Sequence, residues 1–308
     1  MNCVNEDVVR WTARPRLRRP VMVAAFEGWN DAGDAATSAT TYLAEAWQAK
    51  PFADIDPEEF YDFTSTRPRV RLSDGLTRMI EWPANVLSAA SLPAGDRDIV
   101  FLLGVEPQLR WRTFASAVVG VAQSVGAELV LTLGALLAEV PHTRPVRVVG
   151  TAQDPEMVAR LGLQRSRYEG PTGIVGVLHD SLGRAGLKSA SLWASVPHYI
   201  GQTPSPKAAL ALVEHTAALL DEPIRTADLD LAAAAYERQV SEVVDADEDA
   251  TAYVRSLEEA DEDTDNDDEA PRLDLLEGND LVDEVERYLR DHGKGPGGPS
   301  GPGGFRAG

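Results

Sequence analysis

Five side chains able to move protons stand just past apolar runs of this 308-residue chain. Glu27 and Asp31 lie in FEGWNDAGDAA (residues 26–36), Glu106 in GVEP (104–107), His142 in VPHTRPV (140–146) and His198 in SLWASVPHY (191–199). Where such runs are parallel strands, their carboxyl ends border the crevice in which ligands gather. One crevice holding these groups could run acid–base chemistry on a small molecule. Glu27, Asp31 and Glu106 would serve as acids or cation ligands, with His142 beside them, while Arg110, Arg144 and His198 would hold an anionic part of the substrate. A binding set of Trp29, Asn30, Asp31, Arg110, Arg144 and Tyr199 accompanies that reading. A hydrolase, a phosphorylase or a carboxylate–amine ligase would use such groups.

Each of these residues also fits an architectural role. Asp31 and Asp34 suit the N-cap and first turn of the helix that follows, where a carboxylate accepts backbone N–H bonds. Glu106, before Pro107, suits a turn acid paired with Arg110, and His142 and His198, each beside a proline, suit hydrogen-bonded turns. The glycines of the 26–36 turn invite a phosphate-loop reading, but three carboxylates and no cation argue against it. An acid at a helix start occupies the place a phosphate would take and repels it. No Lys-Ser/Thr follows, so this is no P-loop. The histidines at 142, 179, 198, 215 and 292 have no zinc-ligand spacing, and no GxSxG elbow is present. No metal and no cofactor are therefore expected. The single cysteine, Cys3, excludes an internal disulfide.

Elements that could position these residues are legible as alternating strand and helix signals. Apolar runs at 21–26, 98–105, 128–133, 146–150 and 189–196 read as strands. Helical patterns fall at 35–48, 113–125, 155–161, 173–185 and 206–220. Near-continuous apolar strands between helices predict a sheet covered on both faces and largely parallel. Residues 69–82 read as a hairpin turning at Asp74-Gly75, which makes the sheet mixed. Beyond Pro223 only helix is predicted, at 227–243 and 250–259, followed by an unstructured stretch at 261–270 and an amphipathic helix at 280–292. The expected organisation is an arm over 1–19, a core domain over 20–222, an acidic helical appendage over 223–293 and a Gly/Pro tail over 294–308.

The net charge of −20 is concentrated: thirteen acids and one arginine between Asp245 and Glu269 carry −12 of it, leaving −8 elsewhere. No basic face stands out, so nucleic acid is not an expected partner. No apolar run reaches the length of a membrane span and no secretory signal opens the chain, so a cytoplasmic location is expected.

FEGWNDAGDAA resembles the signature of the proteasome assembly chaperone 2 family, particularly its actinobacterial branch. Supporting blocks are WPAN at 82–85, GVEP at 104–107 with Trp111 and Phe114, VPHTRPV at 140–146, GPTGIVGVLH at 170–179, SLWASVPHY at 191–199 and AYERQVSEVV at 235–244. The resemblance implies a three-layer α/β/α sandwich of phosphorylase/hydrolase type with a mixed, mostly parallel sheet and C-terminal helices. It implies a non-enzymatic assembly chaperone or adaptor, a homo-oligomer (trimer or tetramer) with proteasome subunits as partners. The small-molecule enzyme remains the alternative.

Overall fold

The computed structural model describes residues 8–73, 77–93, 95–152, 154–161, 163, 170–201 and 203–265. The predicted helix at 280–292, the tail at 294–308, the hairpin tip Asp74-Gly75 and Cys3 lie outside the described residues.

The run VMVAAFE forms β2 (Val21–Glu27), buried on both sides until its last residue. Its side chains divide by strand alternation: Val21, Val23 and Ala25 enter one core, Met22, Ala24 and Phe26 the other. The first core packs α1 (Ala35–Ala46) and α5 (Pro206–Leu220) on one face of the sheet; the second packs α2 (Trp111–Val125) and α4 (Ile174–Arg184) on the opposite face. The result is the expected three-layer sandwich.

Eight strands make the main sheet in the order β1-β3-β6-β7-β2-β8-β10-β9. These are β1 (Val9–Trp11), β3 (Lys50–Ile55), β6 (Asn85–Ser91), β7 (Asp98–Val105), β8 (Leu129–Ala138), β9 (Val148–Ala152) and β10 (Ser189–Pro197) with β2. The central strands β7, β2, β8 and β10 pair in parallel, and both flanks pair antiparallel. Strands β1, β3 and β6 have no counterpart among the predicted elements. KPFADI carries Pro51 and a register shift between Pro51 and Ala53, which breaks alternation, and NVLSAAS is small and polar with one large core residue, Leu87. The hairpin is present as β4 (Arg69–Ser73) and β5 (Thr77–Glu81), paired only with each other in a separate two-stranded sheet.

Helix α3 (Pro155–Leu161) lies near β9, placing Met157 in the first core. Helix α5 opens on Ser205, whose hydroxyl accepts from the Ala208 amide, with Pro206 at its first position. After it, α6 (Ala227–Asp245) and α7 (Glu248–Asp265) pack Tyr236, Val240, Val244 and Val254 together against Tyr199 and Ile200. Helix α7 runs to Asp265, five residues into the stretch 261–270 expected to be unstructured. Asp261 is held there by an ion pair with Arg147 at 2.7 Å, a partner distant in sequence that local polarity could not reveal. Among the described residues, no helix is long and apolar enough to cross a membrane.

Candidate functional site

The acidic turn begins where β2 ends. Gly28, at φ 134°, swings the chain over the end of β8, where the Ala135 amide donates to the Asn30 carbonyl at 2.9 Å. This places Asp31 under the start of α1 and buries it. One carboxylate oxygen accepts from the Ala36 and Thr37 amides at 2.7 and 3.2 Å, and the other accepts from the Thr37 hydroxyl. Two otherwise unpaired amides of the first turn are thus satisfied by an acid several residues upstream. Asp34, immediately before the helix in a left-handed conformation, makes no side-chain cap. Burial pushes the Asp31 carboxyl up to about 6; the Thr37 and Ala36 hydrogen bonds oppose this, and the charge of Asp34 adds to it.

Glu106 has a parallel role on the other side of the sheet. One of its oxygens accepts from the Ile174 amide at 2.8 Å, at the first residue of α4, and from the Asn30 side chain at 3.3 Å. Glu106 therefore caps a helix from the end of β7. Gly173 is required beside it, because a Cβ there would stand 2.3 Å from Asn30 Nδ2 and 2.7 Å from Glu106 Oε1. Tyr61 donates to the Val105 carbonyl at 2.6 Å and accepts from the Asn85 amide. Burial, with the nearby charges of Glu27 and Glu106, raises its phenol well above the ordinary range. The sequence blocks FEGWND, WPAN, GVEP and GPTGIVG thus meet in one hydrogen-bonded assembly. Glu27 and Trp29 are exposed at its rim. Arg110 pairs with Glu59, so the expected Glu106–Arg110 pair is not the one formed.

His142 and Tyr199 belong to a second network. The Tyr199 hydroxyl accepts from the His142 amide at 2.8 Å and lies 2.9 Å from Nδ1 of its ring, while Nε2 is 3.1 Å from the Ser241 hydroxyl on α6. Lys207 donates to the His142 carbonyl at 2.6 Å and to Glu237 on α6. Thr143 donates to Glu258 on α7, and His198 lies 3.4 Å from the Tyr253 hydroxyl. Burial, reinforced by the Lys207 charge and opposed by Glu237, Glu258 and Asp245, lowers the His142 imidazole from its usual value. Burial pushes the Tyr199 phenol up to about 12. Arg144 lines a cavity of about 20 Å³ beside His142, Ser205 and Tyr236, room for little more than a water molecule.

Most of the sequence candidates therefore fall into two networks and not the single lined crevice expected. Asn30, Asp31 and Glu106 serve the helix starts; His142, Arg144, His198 and Tyr199 lie where α6 and α7 meet the core; Glu27, Trp29 and Arg110 stand outside both. Tyr61, Lys207, Ser241 and Glu237 carried no local signal, since each matters only through a partner brought by the fold. The contacts of a further histidine were also missed. His179 of α4 is half-buried, with its ring nitrogens 2.8 Å from Ser189 Oγ, 2.6 Å from Ser191 Oγ and 3.0 Å from Thr132 Oγ1, and desolvation of the ring pushes it down to about 4. Among the described residues no group of three or more His, Cys, Asp or Glu side chains could hold a metal ion.

A family model described as the PAC2 family matches residues 25–244. The fold is similar to that of a PAC2 family protein from Streptomyces avermitilis, with 44% identity and a TM-score of 0.70, over 76% of this chain and 99% of that one. It is similar to a proteasome-assembly chaperone homologue of Mycobacterium tuberculosis, with 46% identity and a TM-score of 0.69, over 76% of this chain and 99% of that one. A Mycobacterium tuberculosis protein of unknown function is 28% identical with a TM-score of 0.76, over 85% of this chain and 93% of that one. No curated protein matches the chain.

Proposed function

The chain belongs to the PAC2 family, and from that premise we propose that it is a non-enzymatic assembly chaperone or adaptor acting on proteasome subunits in the cytoplasm. The observation that carries this reading is the 46% identity to a proteasome-assembly chaperone homologue across nearly all of that protein. The site geometry agrees with it. Asp31 and Glu106, the best-placed acids, direct oxygens at the amides of α1 and α4. The cavity beside His142 admits about one water and no metabolite. The protein works as a homo-oligomer, a trimer or tetramer, in which the core over 20–222 is the scaffold and the acidic appendage from 223 onward meets partners.

The test is purification of the chain at its natural level from the cell that makes it, under gentle conditions. Proteasome subunits should be recovered in stoichiometric amount, and purified α and β subunits should assemble faster when the chain is added. Recovery of the chain's own oligomer alone, with no change in assembly rate, would remove the proteasome from the reading.

A further inference from the structure

The large exposed apolar side chains are not scattered. Of the ten among the described residues, Val70, Leu72, Met79, Ile80 and Trp82 lie on the hairpin and its stem, and Leu231 and Val243 lie on α6. A two-stranded ribbon standing alone is marginal in water and needs a surface to cover one face. In the β4–β5 register Val70 is opposite Ile80, and Leu72 is two residues along, so all three share one face. The stem is held to the core by Phe63 against Trp82, ring centroids 4.8 Å apart. Among the described residues nothing covers the apolar face: Val70 is 65% exposed and Ile80 59%.

On α6 the inward stripe of Ala233, Tyr236, Val240 and Val244 is buried against the core side. Leu231, opposite that stripe, and Val243, on its flank about 120° further round the helix and about 18 Å along it, are 74% and 73% exposed, the highest values among these side chains. The two surfaces carry opposite charge. Residues 67–81 hold four arginines against two acids, whereas residues 227–265 hold fourteen acids against two arginines. Arg71 is matched within the hairpin by Glu81, leaving Arg67, Arg69 and Arg78 against Asp74 to carry the positive excess of this stretch.

We propose that the β4–β5 hairpin of one copy lies across the exposed surface of α6 between Leu231 and Val243 of a second copy. Each chain carries both halves of the contact, complementary in apolar character and in sign. The interface joins two different patches and is therefore heterologous, so it closes into a ring when the rotation allows. This inference rests on the oligomeric part of the proposed function and is independent of the proteasome.

The test uses light scattering coupled to size exclusion on the full chain. A hairpin variant (Val70→Ser, Ile80→Ser) and an α6 variant (Leu231→Ser, Val243→Lys) each alter only exposed positions, and circular dichroism checks their folding. Each variant alone is expected to run as a monomer. Mixed in equal amounts they should form a 1:1 heterodimer, because one intact hairpin then meets one intact α6. Ile80→Cys and Val243→Cys chains, both in a Cys3→Ser background, keep most of the apolar surface and should crosslink mainly as mixed dimers. Retention of the wild-type size by either folded variant, failure of the two monomers to pair, or absence of the mixed crosslink would overturn this interface while leaving oligomerisation intact. A wild-type chain that is monomeric throughout would overturn the oligomeric reading as well.

Discussion

Asp31, buried, and His179, half-buried with its ring against Thr132, Ser189 and Ser191, respond to pH with opposite sign. The His179 pKa falls from 6.5 to about 4, so its contribution is fully present above 6.5 and is lost as pH falls toward 4. The Asp31 pKa rises from 3.8 to about 6, so its contribution is present below 3.8 and is lost as pH rises toward 6. Each swing is roughly 3 kcal/mol at about 1.4 kcal/mol per pKa unit, so the two largely offset each other between pH 4 and 6. Urea titrations at a series of pH values should separate them. The stability gap between wild type and His179→Gln should narrow by roughly 3 kcal/mol from pH 7 to pH 4, and the gap for Asp31→Asn should narrow over the reverse course. Gaps that stay constant with pH would show that neither group titrates as described. That Asp31 serves a helix start was readable from its place before an alanine-rich helix. The burial that raises its pKa was not, because it depends on the strand β8 crossing beneath the turn.

At the scale of elements, His142 and its partners join α6 and α7 to the core. His142→Ala removes the side-chain contacts to Tyr199 and Ser241, both made at a buried position. Tyr199 keeps its bond from the backbone amide of residue 142 and Ser241 its bond to the Glu237 carbonyl, so the cost is that of two lost hydrogen bonds, about 0.5–1.5 kcal/mol each. The loss should be local: amides of α6 should exchange with solvent about tenfold faster or more, at 1.4 kcal/mol per tenfold. The amides of β2 and β8, in the middle of the sheet, should keep their protection. Equal acceleration in β2 would mean that the appendage and core unfold as one unit. The strong apolar strands β2, β7, β8 and β10 were legible because each is buried on both faces. Strands β3 and β6 were not, since Pro51 with its register shift and the serines of NVLSAAS hide a pairing that the ladder to β7 enforces. The hairpin was legible from Asp74-Gly75, but its solvent-facing apolar side was not, because exposure is a property of the whole surface.

At the scale of the molecule, charge is spread unevenly, with an acidic appendage over 227–265 and an arginine-bearing hairpin over 67–81. If copies join as proposed above, those two surfaces attract each other, and that attraction weakens as added salt screens it. Raising salt from about 0.05 to about 0.5 M shortens the screening length roughly threefold, so sedimentation velocity should show the oligomer shifting toward smaller species. An oligomer that only grows with salt would mean that apolar contact alone holds the copies together. The sequence by itself determined the sandwich and the helix starts, because apolar periodicity and capping residues act within a few positions of one another. It also carried the family likeness, spread over separated blocks. Only the tertiary structure decided which of those blocks meet. Glu106 lies far along the chain from Ile174, and His142 from Ser241, and no local pattern encodes a hydrogen bond whose two ends are joined only once the sheet has formed.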